Sequence, residues 1–212
     1  MVDETWKPKT EIGRMVKDKS LLDIDQVLDK GKRILEAEIT ETLLDVESEL
    51  LLVGQSKGKF GGGQRRAFRQ TQKKTREGNK PKFATIAIVG DKNGHVGIGY
   101  GKSKETIPAR EKAFRKAKLN IFKIRRGCGS WECKCDQNHS VPFKVIGRGG
   151  SVTIEILPAP RGLGLVAGKK IQNLLKLAGI KDAWTTAKGS TTTMTSTSKA
   201  VLDCLRRTFS QG

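Results

Sequence analysis

The chain has 212 residues, 36% of them hydrophobic, four cysteines and a formal net charge of +19. Residues 1–50 hold thirteen acids against eight bases, whereas the remainder holds 33 bases against nine acids. So strong a cationic field points to a nucleic acid or, less well, to an anionic membrane surface; no apolar run approaches the roughly 18–20 residues of a spanning helix and the N-terminus is not signal-like, which disfavours the membrane.

Residues 1–53 read as a helical N-terminal extension. Ile39, Leu43, Val46, Leu50 and Val53 recur at helical spacing, so the whole stretch up to Val53 is expected to be helix that packs on protein or on the following domain. Residues 54–125 read as a basic loop followed by a small domain. Gly54, Gly58 and Gly61–Gly63 break the helical pattern, and residues 54–82 carry Glu77 as their only acid. Lys57, Lys59, Arg65, Arg66, Arg69, Lys73, Lys74 and Arg76 are candidate phosphate ligands, because such a run repels itself when free and orders on a polyanion. Phe60 and Phe68 among them could stack on bases, or simply punctuate a solvated linker.

Gln70–Thr75 is a candidate edge strand, turning at Arg76-Glu77-Gly78-Asn79. Phe83–Val89 alternates as a strand, Asp91-Lys92-Asn93-Gly94 forms a hairpin turn, and His95–Tyr100 returns. Gly97, Gly99 and Gly101 strip one face of that second strand, so either a helix or a ligand comes close to its backbone. We expect a platform that offers bare backbone, flanked by Lys102 and Lys104, to a polyanion. A helix capped by Thr106 follows, with Ile107, Phe114, Ala117 and Ile121 as its expected buried stripe. Three strands on a helix with a basic outer face has the shape of a double-stranded-RNA-binding unit. Gly99–Ser103 is no phosphate loop, since Val96 stands where that motif needs glycine.

Arg125 and Arg126, two further candidate phosphate ligands, lead into a connector over residues 126–140. There Cys128, Cys133, Cys135 and His139 stand in the pattern C-x4-C-x-C-x3-H. Such crowding is not a secretory disulfide framework. Four sulfur and nitrogen donors can close a structural zinc site; the alternative is three small thiols and a hydrogen-bonded histidine. Cys204 falls in an apolar helical stripe and belongs to a core.

Residues 141–212 read as a C-terminal α+β domain: a strand Val141–Ile146, a turn Gly147-Arg148-Gly149-Gly150, a strand around Val152–Ile156, a Pro/Gly loop 158–164, a helix Val166–Leu177, a strand Trp184–Ala187 and a last helix near 197–209. Arg148 and Arg161, with Lys169 and Lys170 at a helix N-terminus, are further candidate phosphate ligands. No paired carboxylates or nucleophile–base pair stand out, so catalysis is not expected.

These segments resemble one family. VGDKNGHVGIG (89–99), AKLNIFKIRR (117–126), HSVPFK (139–144), GRGGSV (147–152), LPAPRGLG (157–164) and LAGIK (177–181) are similar, in order, to the universal small-subunit ribosomal protein five in its archaeal and eukaryotic form. The resemblance implies an α+β fold, in which a double-stranded-RNA-binding-domain-like β-β-β-α domain precedes a left-handed β-α-β domain. It implies a cytoplasmic, structural role in the small ribosomal subunit, on ribosomal RNA where head meets body. The implied neighbours are the small subunit's ribosomal proteins four and eight and the messenger RNA entry region, with an effect on decoding accuracy. Eukaryotic members lack the cysteine cluster. The rival reading is a free-standing double-stranded-RNA-binding module or RNA chaperone.

Overall fold

The computed structural model describes residues 6–55, 65–133, 135 and 137–210. The candidate ligands Lys57 and Lys59, and Phe60, lie outside the described residues. The arm consists of three short helices, α1 (Glu11–Lys17), α2 (Asp25–Asp29) and α3 (Ala37–Leu43). The Thr10 hydroxyl accepts from the Gly13 amide at 3.1 Å and starts α1. Val16, Ile24, Ile34 and Ile39 form the arm's own small core.

The expected helix to Val53 stops at Leu43. Residues Glu47–Leu51 are strand β1. The apolar positions serve both periods here: Val46 and Leu50 point to one face, Leu51 and Val53 to the other. An open edge of β3 (Gly78–Gly90) decides for strand by pairing with β1, Glu47 opposite Gly90 through Leu51 opposite Ile86.

The same edge of β3 takes β2 (Arg69–Thr75) further along, and β3 pairs on its other side with β4 (His95–Ser103), which pairs with β5 (Phe122–Lys123). Helix α4 (Thr106–Leu119) covers this sheet. Its N-cap is Glu105 rather than Thr106, and its buried stripe is Ala109, Ala113 and Ala117. The expected Ile107 is 68% exposed. The glycines explain the substitution. A Cβ on Gly97, Gly99 or Gly101 would lie 2.3, 2.1 or 2.0 Å from a carbonyl oxygen of Ala117, Ala113 or Ala109. Only a helix with methyl side chains on that face comes so near. The bare face is therefore occupied by α4 and is not open to a polyanion, and the expected ligand platform is corrected to a helix seat.

The second sheet runs β6 (Val145–Gly149), β7 (Val152–Pro158), β9 (Ala183–Lys188) and β8 (Leu165–Val166). β8 and β9 pair in parallel across helix α5 (Lys169–Leu177), a β-α-β unit, and α6 (Met194–Ser210) packs on β6 and β7. The expected turn glycines 147 and 149 lie inside β6. They seat α6 in the same manner: a Cβ on Gly147 would meet Ala200 O and Cys204 N at 2.4 Å each.

The two sheets share one core. Ile86, Ile88 and Val96 from the first join Val152, Ile154 and Ile156, Leu174 and Leu175, and Val201 and Leu205. The hairpin turn is part of this junction. Lys92, at a left-handed φ of 60°, donates its amide to Leu177 O at 3.0 Å.

Candidate nucleic-acid interface

Charge is sorted by position. The arm's acids pair with cations of the first domain: Glu47 with Lys92, Glu41 with Lys118, and Asp25 and Asp29 with Lys123. His95 joins this seam, with Nδ1 2.5 Å from Asp91 Oδ2 and Nε2 2.8 Å from Asp25 Oδ1. Burial works against its protonation, but the two carboxylates outweigh that and raise the His95 pKa above its ordinary value. Carboxylates on both ring nitrogens fix an imidazolium, which ties α2 to the hairpin turn.

By contrast, Arg65, Arg66, Arg69, Lys73, Lys74, Arg76, Lys102, Lys104, Arg125, Arg148, Arg161, Lys169 and Lys170 form no ion pair among the described residues. The structure groups several of them. The neck of the basic loop is tied by the Gly54 amide, which donates to Arg66 O at 2.7 Å. Arg65 and Arg69 then line a groove of about 490 Å³ whose other wall is Thr192, Thr193 and Thr195 at the start of α6. Arg65 Nη1 donates to Thr192 O at 3.3 Å. Lys170 is pushed below its ordinary value, first by burial and then by the Arg65 charge.

A second groove, about 630 Å³, passes Arg66, Phe68, Arg69 and Phe83 to Thr106. The strand register places Arg69, Ala84 and Lys102 in one row on the sheet face away from α4. Beyond this, Lys73 and Lys74 lie on the far part of β2, exposed like nearly all of that strand, with Arg76 at its turn. Lys104 stands apart at the β4–α4 turn, and Arg148 on the outer side of β6.

Arg126 has another task. Its guanidinium donates to the carbonyls of Lys92 at 3.1 Å, Asn93 at 2.7 Å and Gly179 at 3.4 Å. It clamps the hairpin turn of one domain to the end of α5 in the other.

The connector brings its four candidate ligands together. The donor atoms of Cys128, Cys133, Cys135 and His139 all lie within 4.8 Å of one another, and Cys133 Sγ is 3.8 Å from His139 Nε2. A tetrahedral zinc centre sets sulfur–nitrogen and sulfur–sulfur separations of about 3.6 and 3.8 Å, so the cluster could hold a metal with little contraction. His139 is buried, and its Nδ1 is 2.9 Å from Asp182 Oδ2. That bond leaves Nε2 as the ligand atom, the usual arrangement of a metal-bound histidine. The pKa of Cys133 is lowered to about 6, first by the Arg161 backbone and then by Cys135. Asp182 was not legible as part of the site: it lies 43 positions from His139 and no local spacing links them.

Family models describing the N-terminal and C-terminal domains of ribosomal protein S5 match residues 67–125 and 147–211. The chain belongs to the ribosomal protein S5 family. It is 53% identical over 98% of its length to the small ribosomal subunit protein uS5 of Cenarchaeum symbiosum, covering 88% of that protein. It is 47% identical over 96% to that of Nanoarchaeum equitans and 45% identical over 97% to that of Methanocaldococcus jannaschii, again covering 88% of each. Family membership makes this a structural ribosomal protein and not an enzyme. Among the described residues no helix is long and apolar enough to cross a membrane.

Proposed function

We propose that this chain binds small-subunit ribosomal RNA where the head meets the body, as a fixed structural clamp working in the cytoplasm. The observation that carries the proposal is the sorting of charge: the acidic arm neutralises cations along α4, β5 and the hairpin turn, while the grooves beside Arg65, Arg66, Arg69, Lys102 and Lys170 keep theirs for an external polyanion. Contacts from these side chains fall on phosphates, so they position the protein and do not read sequence. The projecting β2 strand with Lys73, Lys74 and Arg76 extends the same contact. Arg161 and Lys169 supply a second one on the other domain.

Ribosomal proteins four and eight of the small subunit are the proposed protein neighbours, and the messenger entry region the proposed functional setting, with support for accurate decoding as the outcome. Cys128, Cys133, Cys135 and His139 hold one structural zinc in this proposal, with all four positions filled by protein and none left for catalysis.

The test is the salt dependence of binding to transcribed small-subunit ribosomal RNA. Each phosphate contact removed lowers the slope of log K against log salt by about 0.7–0.9. Replacing Arg65, Arg66 and Arg69 together by Ala lowers the slope by about 2; an unchanged slope would remove these residues from the interface.

A further inference from the structure

The cysteine–histidine cluster is linked through Asp182 to the loop 158–164. Asp182, whose Oδ2 meets His139, uses its Oδ1 to accept from the amides of Gly162 at 3.1 Å and Gly164 at 2.7 Å. The His139 carbonyl accepts from the amides of Lys181 at 2.8 Å and Asp182 at 3.1 Å. The loop 158–164 is thus held at two amides by Asp182, the partner of a candidate ligand. Gly162 and Gly164 sit at φ of 90° and 78°, a conformation that a free loop visits as one of many. The loop's one charged side chain is Arg161, and it is exposed.

A metal would draw the three thiols and the imidazole into one fixed arrangement, and so fix the His139 ring that Asp182 grips while it holds the loop. We propose that metal capture by Cys128, Cys133, Cys135 and His139 sets the conformation of the 158–164 loop, so that the part of the RNA affinity carried by Arg161 depends on the metal. This rests on the zinc and RNA assignments made above. The centre is then a coupling device between connector and RNA contact, in addition to a staple. Linkage requires the converse: bound RNA tightens the metal by the same factor by which the metal tightens RNA.

The experiment uses the full chain and transcribed small-subunit ribosomal RNA. Zinc content is measured by atomic emission before and after chelation, amide exchange is followed at Gly162 and Gly164, and RNA affinity is measured at one fixed salt concentration. On metal removal, both amides lose protection and RNA affinity falls about tenfold, the loss of one charge-assisted contact. Arg161→Ala starts at the lower affinity and changes little further on chelation. Zinc affinity rises by a similar factor when RNA is bound.

Stoichiometric zinc whose removal leaves amide exchange and RNA affinity unchanged overturns the coupling but leaves the zinc assignment standing. An equal loss in Arg161→Ala overturns it as well, because the effect would then reach RNA elsewhere. A chain that takes up no zinc refutes the zinc assignment itself, and metal analysis distinguishes that outcome from the other two. Should the chelated chain lose its fold, Cys135→Ser carries the test: it removes one candidate ligand and leaves Asp182 with its bonds to Gly162 and Gly164 in place, so zinc, loop protection and about tenfold of RNA affinity are lost together. Retention of loop protection and RNA affinity in that variant, with zinc lost, defeats the proposal.

Discussion

Replacing Gly99 by Ala tests the seat of α4 directly. The added methyl would stand 2.1 Å from Ala113 O, 2.3 Å from Ala117 N and 2.9 Å from Lys116 C, all backbone atoms of one helix. No rotamer change relieves this. The helix must retreat by roughly 1 Å to regain ordinary contact, and gaps of that size forfeit about a quarter to a half of each van der Waals well along the seam. Overpacking of this kind costs about 1–3 kcal/mol. Restricting the unfolded chain returns about 0.4–1 kcal/mol, which leaves a net loss of about 1.3 kcal/mol. For a chain of this size that is a fall in Tm of about 3–5 °C. Thermal and urea unfolding followed by circular dichroism measure it. Gly147→Ala, which meets Ala200 and Cys204 backbone at 2.4 Å, gives a similar loss in the second sheet. Lys102→Ala, on the opposite face of the first sheet, stays within about 0.5 kcal/mol. A Gly99→Ala protein that melts with the parent would show that close approach to β4 is not what selects the alanine face of α4.

Arg126→Ala removes the clamp between the hairpin turn and α5; stability falls by about 2 kcal/mol while the salt slope of RNA binding stays at the parent value, and a changed slope with unchanged stability would reverse the assignment. The His95 latch has a defined pH window. Its raised pKa means that its contribution is complete below the unfolded histidine value of about 6.5 and is lost as pH rises through the higher folded value. The lowered pKa values of Asp91 and Asp25 mean that their contribution is present above the ordinary aspartate value and is lost as pH falls through the folded ones. A Tm profile against pH shows both limbs, and Asp25→Asn flattens the alkaline one; a profile identical to the parent's would discard the latch. Cys204 is fully buried and its thiol is pushed up to about 12 by burial and by Asp203, so thiol reagents at pH 8 leave it unmodified in the folded chain, and its rapid labelling would contradict that placement.

Much of the fold could be read from local pattern. The hairpin over residues 83–100, the edge strand near 70–75, the last helix and its inward Cys204 all follow from a period of 2 or 3.6 with turn residues between. The charge asymmetry between the acidic arm and the basic remainder is likewise a property of the sequence alone, as is the gathering of Cys128, Cys133, Cys135 and His139 within twelve positions.

Tertiary structure decided what local pattern left balanced. Residues 47–51 fit helix and strand equally well until β3 offered an unpaired edge. The glycines of β4 showed that something approaches, but a helix and a ligand make the same demand on the backbone, and only the packed α4 distinguishes them. Gly147 and Gly149 carry turn composition and strand geometry, because α6 needs their bare backbone. Arg126 and Arg125 are adjacent and chemically alike; the carbonyls of Lys92, Asn93 and Gly179 take one of them, and no neighbour in sequence supplies those carbonyls. Asp182 reaches His139 for the same reason. Periodicity and composition are properties of a segment, whereas a pairing partner, a close approach or a hydrogen bond between distant residues exists only once the chain has folded.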